Sequence, residues 1–381
     1  MAITTRTLGY PLRVMHAHGH LSEALLDLAV EMGPRPLILY GQSQSEVAAH
    51  IHTLFDNARL LAYPGGEPDL ATLLELASYP ADPTAILAIG GGSVLDSAKL
   101  LGVLWPLRGQ GIGLKEVLAS PDLITGALPV IAVPTTAGTG SEVTPYLTIT
   151  ISHDATNAEK RLLTSRYLVP QIAVLDATLT LNLPQDVTRN TGIDAFTHAL
   201  EAFLSTKSSP WSDPWSVAAM SQLWQMLPVV LREPSNIAAR QTVMEAATMA
   251  GFAFAHASVA LVHGMSRPLG AWFHLPHGYA NAILLPAVMR FSLPHLTAER
   301  EQMLRDALLL APAVSLADAI EQWLKEMKVA PWPVQHEVRN HLMEKAPAMA
   351  RQALSSGSPA NNPKVPDIDM IVRLYQSLAR V

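Results

Sequence analysis

The sequence predicts two unlike halves, an α/β domain built on a parallel sheet followed by a domain made of helices alone. Short apolar runs of strand-forming residues alternate with helical patterns through the first half. After Leu181-Asn182-Leu183-Pro184 the strand signals vanish, and alanine- and leucine-rich segments with helical spacing run to Val381. The length agrees, since 381 residues at about 150 per domain is more than one domain. The boundary is placed there, giving domains 1–183 and 184–381.

In chain order, His16, His18 and His20 alternate along Val14 to Leu21, which would set all three on one face of a strand. A solvated edge strand entering a turn at Gly19 accounts for them better than a metal site. Pro36–Tyr40 (PLILY), Thr84–Ile89 (TAILAI), Leu128–Val133 (LPVIAV) and Ile172–Leu175 (IAVL) read as buried parallel strands. Between them, Ser43–Leu54 and Asp69–Ala77 carry helical spacing, and Ser93–Leu104 opens a helix directly after a glycine run. Near the end, Ser355–Pro366 (SSGSPANNPKVP) reads as a surface or cleft-edge connection before one last amphipathic helix. No fixed-period repeat is present.

Composition narrows the function. Hydrophobic residues are 49% and charged residues 15%, enough apolar material for large cores. A net charge of -6 argues against a binder of phosphate backbones, so nucleic acid is not an expected partner. With no cysteine, disulfides, thiolate nucleophiles and iron–sulfur clusters are excluded, and any metal must be held by His, Asp or Glu. Apolar stretches such as Gly251–Val262 carry a histidine and fall short of the ~18 residues of a membrane span. Without a basic n-region and apolar h-region at the N-terminus, a cytoplasmic location is expected.

Gly90-Gly91-Gly92-Ser93 follows a strand and opens a helix, with Asp96 and Lys99 in its first turns. Glycines let the backbone approach a phosphate, and the unpaired N–H groups of a helix start attract negative charge. The run is not the GxGxxG fingerprint, and a ligand-free strand-to-helix turn is the plain alternative. A second polar loop, Pro134-Thr135-Thr136-Ala137-Gly138-Thr139-Gly140-Ser141-Glu142, lies beyond another strand, where α/β sheets bind ligands.

In the second half, Asp194 and His198 stand four apart on one helical face, and His263 and His277 each precede a glycine. Singly, each has an ordinary structural reading as a buried hydrogen-bonded pair or a helix terminus. As a set, one carboxylate and three imidazoles suit a divalent first-row metal with room for a substrate oxygen, Fe(II) and Zn(II) alike.

GGGSVLDSAK (Gly90 to Lys99), PTTAGTGSEVT (Pro134 to Thr144), GIDAFTHALE (Gly192 to Glu201) and VHGMSRPLGAWFHLPHGYANAILLP (Val262 to Pro286) closely resemble the iron-containing, group III alcohol dehydrogenases. The resemblance extends over nearly the whole chain, including NNPK at Asn361 to Lys364. It implies the dehydroquinate synthase-like fold, with an α/β nucleotide-binding N-terminal domain, an all-helical C-terminal domain and a catalytic cleft between them. It also implies metal ligation by Asp194, His198, His263 and His277, with Fe2+ ahead of Zn2+. Gly91, Gly92 and Ser93 would hold the pyrophosphate, with Asp96 in the same helix. Thr135, Thr136, Thr139 and Lys160 would line the rest of the cofactor site.

The activity implied is reversible hydride transfer between a small alcohol and the nicotinamide of NAD(P), by a homodimer. Glycerol dehydrogenase, dehydroquinate synthase and maleylacetate reductase are the neighbouring activities. A nucleotide-binding protein without turnover is the reading outside catalysis. Asp194 with His198 favours the metal-containing alcohol dehydrogenases over the maleylacetate reductases.

Two departures from the family pattern stand out. Where many relatives carry a second histidine four residues after His263, assigned to proton relay, this chain has Arg267. That cation would orient an acidic substrate group or a cofactor phosphate, or lie on the helix surface. His274 is the imidazole available to replace the missing relay, or else an unreactive packed residue, in a segment where Trp272 and Phe273 would wall the pocket. After the strand Pro36–Tyr40, NAD-preferring members place an aspartate against the ribose; here Gly41-Gln42-Ser43 follows, so NADP(H) is expected to be accepted and preferred, with Glu46 as the one acidic residue nearby.

Overall fold

The computed structural model describes residues 13–154, 157–332 and 335–379. The chain divides into two compact units. One takes in residues up to Thr136, Gly140–His153 and Lys160–Thr180; the other takes in Ala137–Thr139, Asp154–Glu159 and everything from Leu181 onward.

The first unit is a six-stranded sheet in which every paired strand runs parallel: β1 (Arg13–His16), β2 (Pro36–Gly41), β3 (Arg59–Tyr63), β4 (Ala85–Gly90), β5 (Val130–Pro134) and β8 (Ile172–Leu175), in the order β1-β8-β5-β4-β2-β3. A separate two-stranded sheet joins β6 (Tyr146–Asp154) and β7 (Asn157–Thr164). The run AILAIG forms β4 because both its faces are covered: Leu87 and Ile89 enter one hydrophobic cluster, Ile86 and Ala88 another, and all four are fully buried. From β2 the chain moves outward to β3, then returns through β4 and on to β5 and β8 on the other side. The direction reverses between β2 and β4, and parallel sheets of this kind bind ligands at such a reversal, beyond the carboxyl ends of the strands.

The four apolar runs read from the sequence are strands here; Ile172–Leu175 keeps its bounds and the other three have ends shifted by at most two residues. β3, β6 and β7 carry no comparable signal. β3 is partly exposed along most of its length at the sheet edge, and β7 (NAEKRLLT) holds three charged residues, so neither reads as a buried strand. His16, His18 and His20 do not share a strand, because β1 ends at His16 and His18 and Gly19 turn through positive φ.

The second unit is helical throughout its described residues from Leu181 onward. Its centre is the helix Gln185–Leu204, every residue of which from Gly192 to Leu204 is buried. It packs against Asp213–Arg232 and Ile237–Ala257, and Gly192 permits the approach, since a Cβ there would lie 2.4 Å from Leu227. The helices Leu261–Phe273 and His277–Ser292 complete this core. The segment read as a surface or cleft-edge connection is exposed at Ser355–Gly357, Ala360, Lys364 and Val365 but is anchored by buried residues between them. Ser358, Pro359, Asn361 and Asn362 are buried, because Pro359 seats against Gly264 and Asn361 hydrogen-bonds to Ser258 and Val259. Among the described residues no single helix is long and apolar enough to cross a membrane.

Candidate metal centre

A helical stretch buried on every side has no obvious use for ionisable residues, yet Gly192–Leu204 carries three, at Asp194, His198 and Glu201. Their spacing of four and three residues puts them on one stripe. Two further helices bring their first turns to that stripe. His263 lies in the opening turn of Leu261–Phe273, and His277 is the first residue of His277–Ser292. The second helix start is held close because Gly278 lacks a side chain; a Cβ there would meet the carbonyl oxygen of Asn190 at 1.9 Å.

Asp194, His263 and His277 each offer a ligand atom, all within 4.8 Å of one another. Oδ1 of Asp194 is 3.4 Å from Nε2 of His263 and 3.5 Å from Nε2 of His277. His198 stands beside this trio. Its Nδ1 is 3.9 Å from Oδ2 of Asp194, and its ring stacks between Phe254 and His263 at centroid distances of 4.2 and 4.4 Å. That Nδ1 is buried with no hydrogen-bond partner among the described residues.

Sequence reasoning gave Glu201 and Asn281 no part in this. Glu201 is fully buried, and its carboxylate accepts hydrogen bonds from the backbone N–H groups of Ala260, Val262 and His263. It thereby satisfies the start of the Leu261 helix, where those groups have no partner within the helix. It also accepts from Nδ1 of His263 at 2.7 Å, which fixes that imidazole with its Nε2 lone pair directed away from Glu201. Asn281 donates from Nδ2 to Oδ1 of Asp194 at 2.7 Å. The signal was present for both: Glu201 extends the Asp194–His198 stripe by one turn, and Asn281 lies one turn beyond His277.

The electrostatics follow from this crowding. Burial would raise the Asp194 carboxyl, but the imidazoles of His198, His277 and His263 pull it well below the usual carboxylate range. Burial pushes His198 down to about 4, so it is neutral at neutral pH and keeps a lone pair. For His263 the hydrogen bonds to Asp194 and Glu201 outweigh burial and raise it. An anionic carboxylate, imidazole nitrogens aimed at it and an orphaned buried nitrogen form a donor set that fits a divalent first-row cation.

Residues 11–177 match the family model for iron-containing alcohol dehydrogenase, and residues 188–379 match that for the Fe-containing alcohol dehydrogenase family, C-terminal. The chain belongs to the iron-containing alcohol dehydrogenase family. It is 33% identical over 325 residues to the 1-propanol dehydrogenase PduQ of Salmonella typhimurium, covering 82% of this chain and 83% of that one. It is 40% identical over 233 residues to the probable alcohol dehydrogenase EutG of Escherichia coli, which is 60% of this chain but only 57% of EutG. The structure of an iron-containing alcohol dehydrogenase from Thermococcus thioreducens superposes with a TM-score of 0.86 at 26% identity, covering 98% of this chain and all of that one.

In this family member the residues expected at the cofactor are dispersed over several elements. Gly41 closes β2, and Gly91 caps the helix Gly92–Leu107, of which Gly92 and Ser93 are the first residues. The two polar loops touch, since a Cβ on Gly91 would lie 3.4 Å from Thr136, and the Thr135 N–H donates to the Gly90 carbonyl. Asp96 is already engaged, accepting from the Thr148 N–H, the Ser141 hydroxyl and Lys99. Lys160 lies on β7 with Nζ 2.7 Å from Glu67. Thr139 belongs to the second unit. His274 is exposed and ends the Leu261 helix in a left-handed conformation, so its place in the structure is that of a helix cap. Trp272 donates to Gln352, and Phe273 packs edge-on to Trp332 and His341.

Proposed function

We propose that the chain is a metal-dependent, NAD(P)-linked alcohol dehydrogenase that also runs in reverse as an aldehyde reductase. The observation that carries this reading is the buried trio Asp194, His263 and His277, with His198 beside it, in a chain of this family. Asp194, His198, His263 and His277 would hold the ion, Fe2+ ahead of Zn2+. A divalent metal held there supplies Lewis acidity toward an alcohol or carbonyl oxygen.

The chain's own residues prepare that chemistry. Glu201 keeps the proton of His263 on Nδ1. Burial keeps His198 neutral, and Asn281 holds the Asp194 carboxylate in place. A bound NAD(P)(H) would supply or take up the hydride, and aligning the substrate with it would be the protein's task.

Gly91, Gly92 and Ser93 would take the cofactor pyrophosphate at the start of the Gly92–Leu107 helix, with Thr135, Thr136, Thr139 and Lys160 lining the remainder. Gly41 ends β2 beside the reversal of strand order; an acidic residue there would face the ribose, and the lack of charge supports acceptance of NADP(H). The name of PduQ, a 1-propanol dehydrogenase, supports a small primary alcohol, and a homodimer completes the reading.

Protein purified without chelators should carry about one transition-metal ion per chain and oxidise NADPH or NADH with short aldehydes. Metal-free protein that regains no turnover on addition of Fe2+ or Zn2+ under anaerobic conditions would refute the proposal.

A further inference from the structure

One turn beyond His263 on the same helix is Arg267, and the two side chains share a face. Arg267 is partly buried. Enclosure by the protein depresses its pKa, and the carboxylates that feel its charge, Glu201 and Asp194, are already engaged by His263, Asn281 and the backbone. Its one hydrogen-bond partner among the described residues is neutral, the Ser358 Oγ at 3.0 Å from Nη1. A partly desolvated guanidinium that makes no ion-pair contact of its own gains from an anion that joins it.

The Ser358 side is fixed with equal care. Gly264, three residues before Arg267 on the same helix, has no side chain; a Cβ there would meet Pro359 at 2.7 Å, so the turn Ser358–Asn361 sits directly on the helix. Asn361 ties that turn to Ser258 and Val259 at 3.1 and 2.9 Å, and its carbonyl accepts from the Thr206 N–H. The Ser358 hydroxyl accepts from Arg267, which leaves its own hydrogen to donate elsewhere. The remaining guanidinium N–H groups and this hydroxyl are donors, held on a rigid seat next to the metal centre.

We propose that Arg267 and Ser358 anchor the anionic end of the substrate, so that the enzyme acts on short bifunctional compounds with an alcohol or aldehyde at one end and a carboxylate, sulfonate or phosphonate at the other. This rests on the dehydrogenase reading above. A planar guanidinium suits oxyacid groups, which it binds through paired N–H donors. Side chains one helical turn apart have Cβ atoms roughly 5–6 Å from each other, so the spacer is on the order of two to four carbons.

The test compares butanal with 4-oxobutanoate, and acetaldehyde with its sulfo and phosphono derivatives, by initial rates with the metal-loaded enzyme. The acids should be preferred in kcat/KM by on the order of 100-fold. Arg267→Met should collapse the acid-to-neutral ratio by a similar factor, chiefly through KM, with partial recovery in Arg267→Lys; Ser358→Ala should lower it by about tenfold. Calorimetry with succinate, an unreactive anion, gives a readout free of turnover: binding should occur with wild type and be lost in Arg267→Met.

Equal use of neutral and acidic aldehydes, or a ratio untouched by Arg267→Met, would overturn the anchor and leave the dehydrogenase standing. So would a variant that raises the cofactor KM in place of the aldehyde KM. If no aldehyde at all is reduced, the dehydrogenase reading fails, and the succinate titration still decides whether Arg267 binds an anion.

Discussion

Glu201 holds Nδ1 of His263 at 2.7 Å with the same carboxylate that receives the backbone N–H groups opening the helix on which His263 sits. One buried anion therefore sets both the start of that helix and the direction of the imidazole. Glu201→Gln keeps the shape, removes the charge and turns an amide N–H toward backbone donors. Metal affinity should fall by about 10- to 100-fold, and the melting temperature should drop with it. Metal retained on dialysis against a graded chelator, together with calorimetry, measures both; unchanged retention would separate Glu201 from the site.

Among the described glycines of the second unit, Gly278 leaves the least room for a side chain. Any side chain there must displace the carbonyl of Asn190 or the first turn of the His277 helix. Gly278→Ala should cost about 1–3 kcal/mol in denaturant unfolding and release metal by displacing His277. Full stability with full occupancy would show that the two helices separate easily.

Cofactor choice is open to a single substitution. Gly41 has φ -73 and ψ 145, which any residue adopts, and a Cβ would stand 3.6 Å from Val94, an ordinary contact. Gly41→Asp should therefore fold normally, accept the ribose hydroxyls of NAD(H) and repel a 2′-phosphate. A shift of at least about tenfold in the NADH-to-NADPH ratio of kcat/KM is expected, equivalent to about 1.4 kcal/mol. A wild type strictly dependent on NADH would remove the premise.

The pH dependence of the metal-free protein has a defined sign. Burial depresses His198 from 6.5 to about 4. Below 6.5 the unfolded chain takes up a proton that the folded one refuses until about pH 4, so this residue makes stability fall as pH falls through that window, by at most about 3 kcal/mol. His263, raised by its carboxylates, acts in the opposite sense: its contribution is present below 6.5 and lost as pH rises. His198→Gln removes only the first effect, so the variant's unfolding free energy between pH 6.5 and 4 should vary less steeply than that of wild type. Parallel curves would mean that His198 takes up its proton alike in the folded and unfolded states.

Much of this was readable beforehand, and the unreadable part has physical causes. β4 and β5 announce themselves because a strand covered on both faces is a continuous apolar run. β3 and β7 do not, because one lies at a sheet edge and the other pairs only with β6. Spacing brought Asp194 and His198 together on one face, since that relation is local to a helix. The approach of His263 and His277 depends on Gly278 and on helix packing, which no local pattern encodes. Within Ser355–Pro366 the burial of Ser358, Asn361 and Asn362 was not legible, because composition alone cannot separate a polar residue facing water from one satisfied inside.

The unpartnered Nδ1 of His198 and Oδ1 of Asn281 have a consequence for production of the protein. An interior that keeps such atoms waiting pays for them at every temperature until a cation arrives to organise its surroundings. Cultures starved of transition metals should accordingly yield less folded enzyme from the same message, and supplementing the growth medium, more than any change of purification buffer, should raise the recovery.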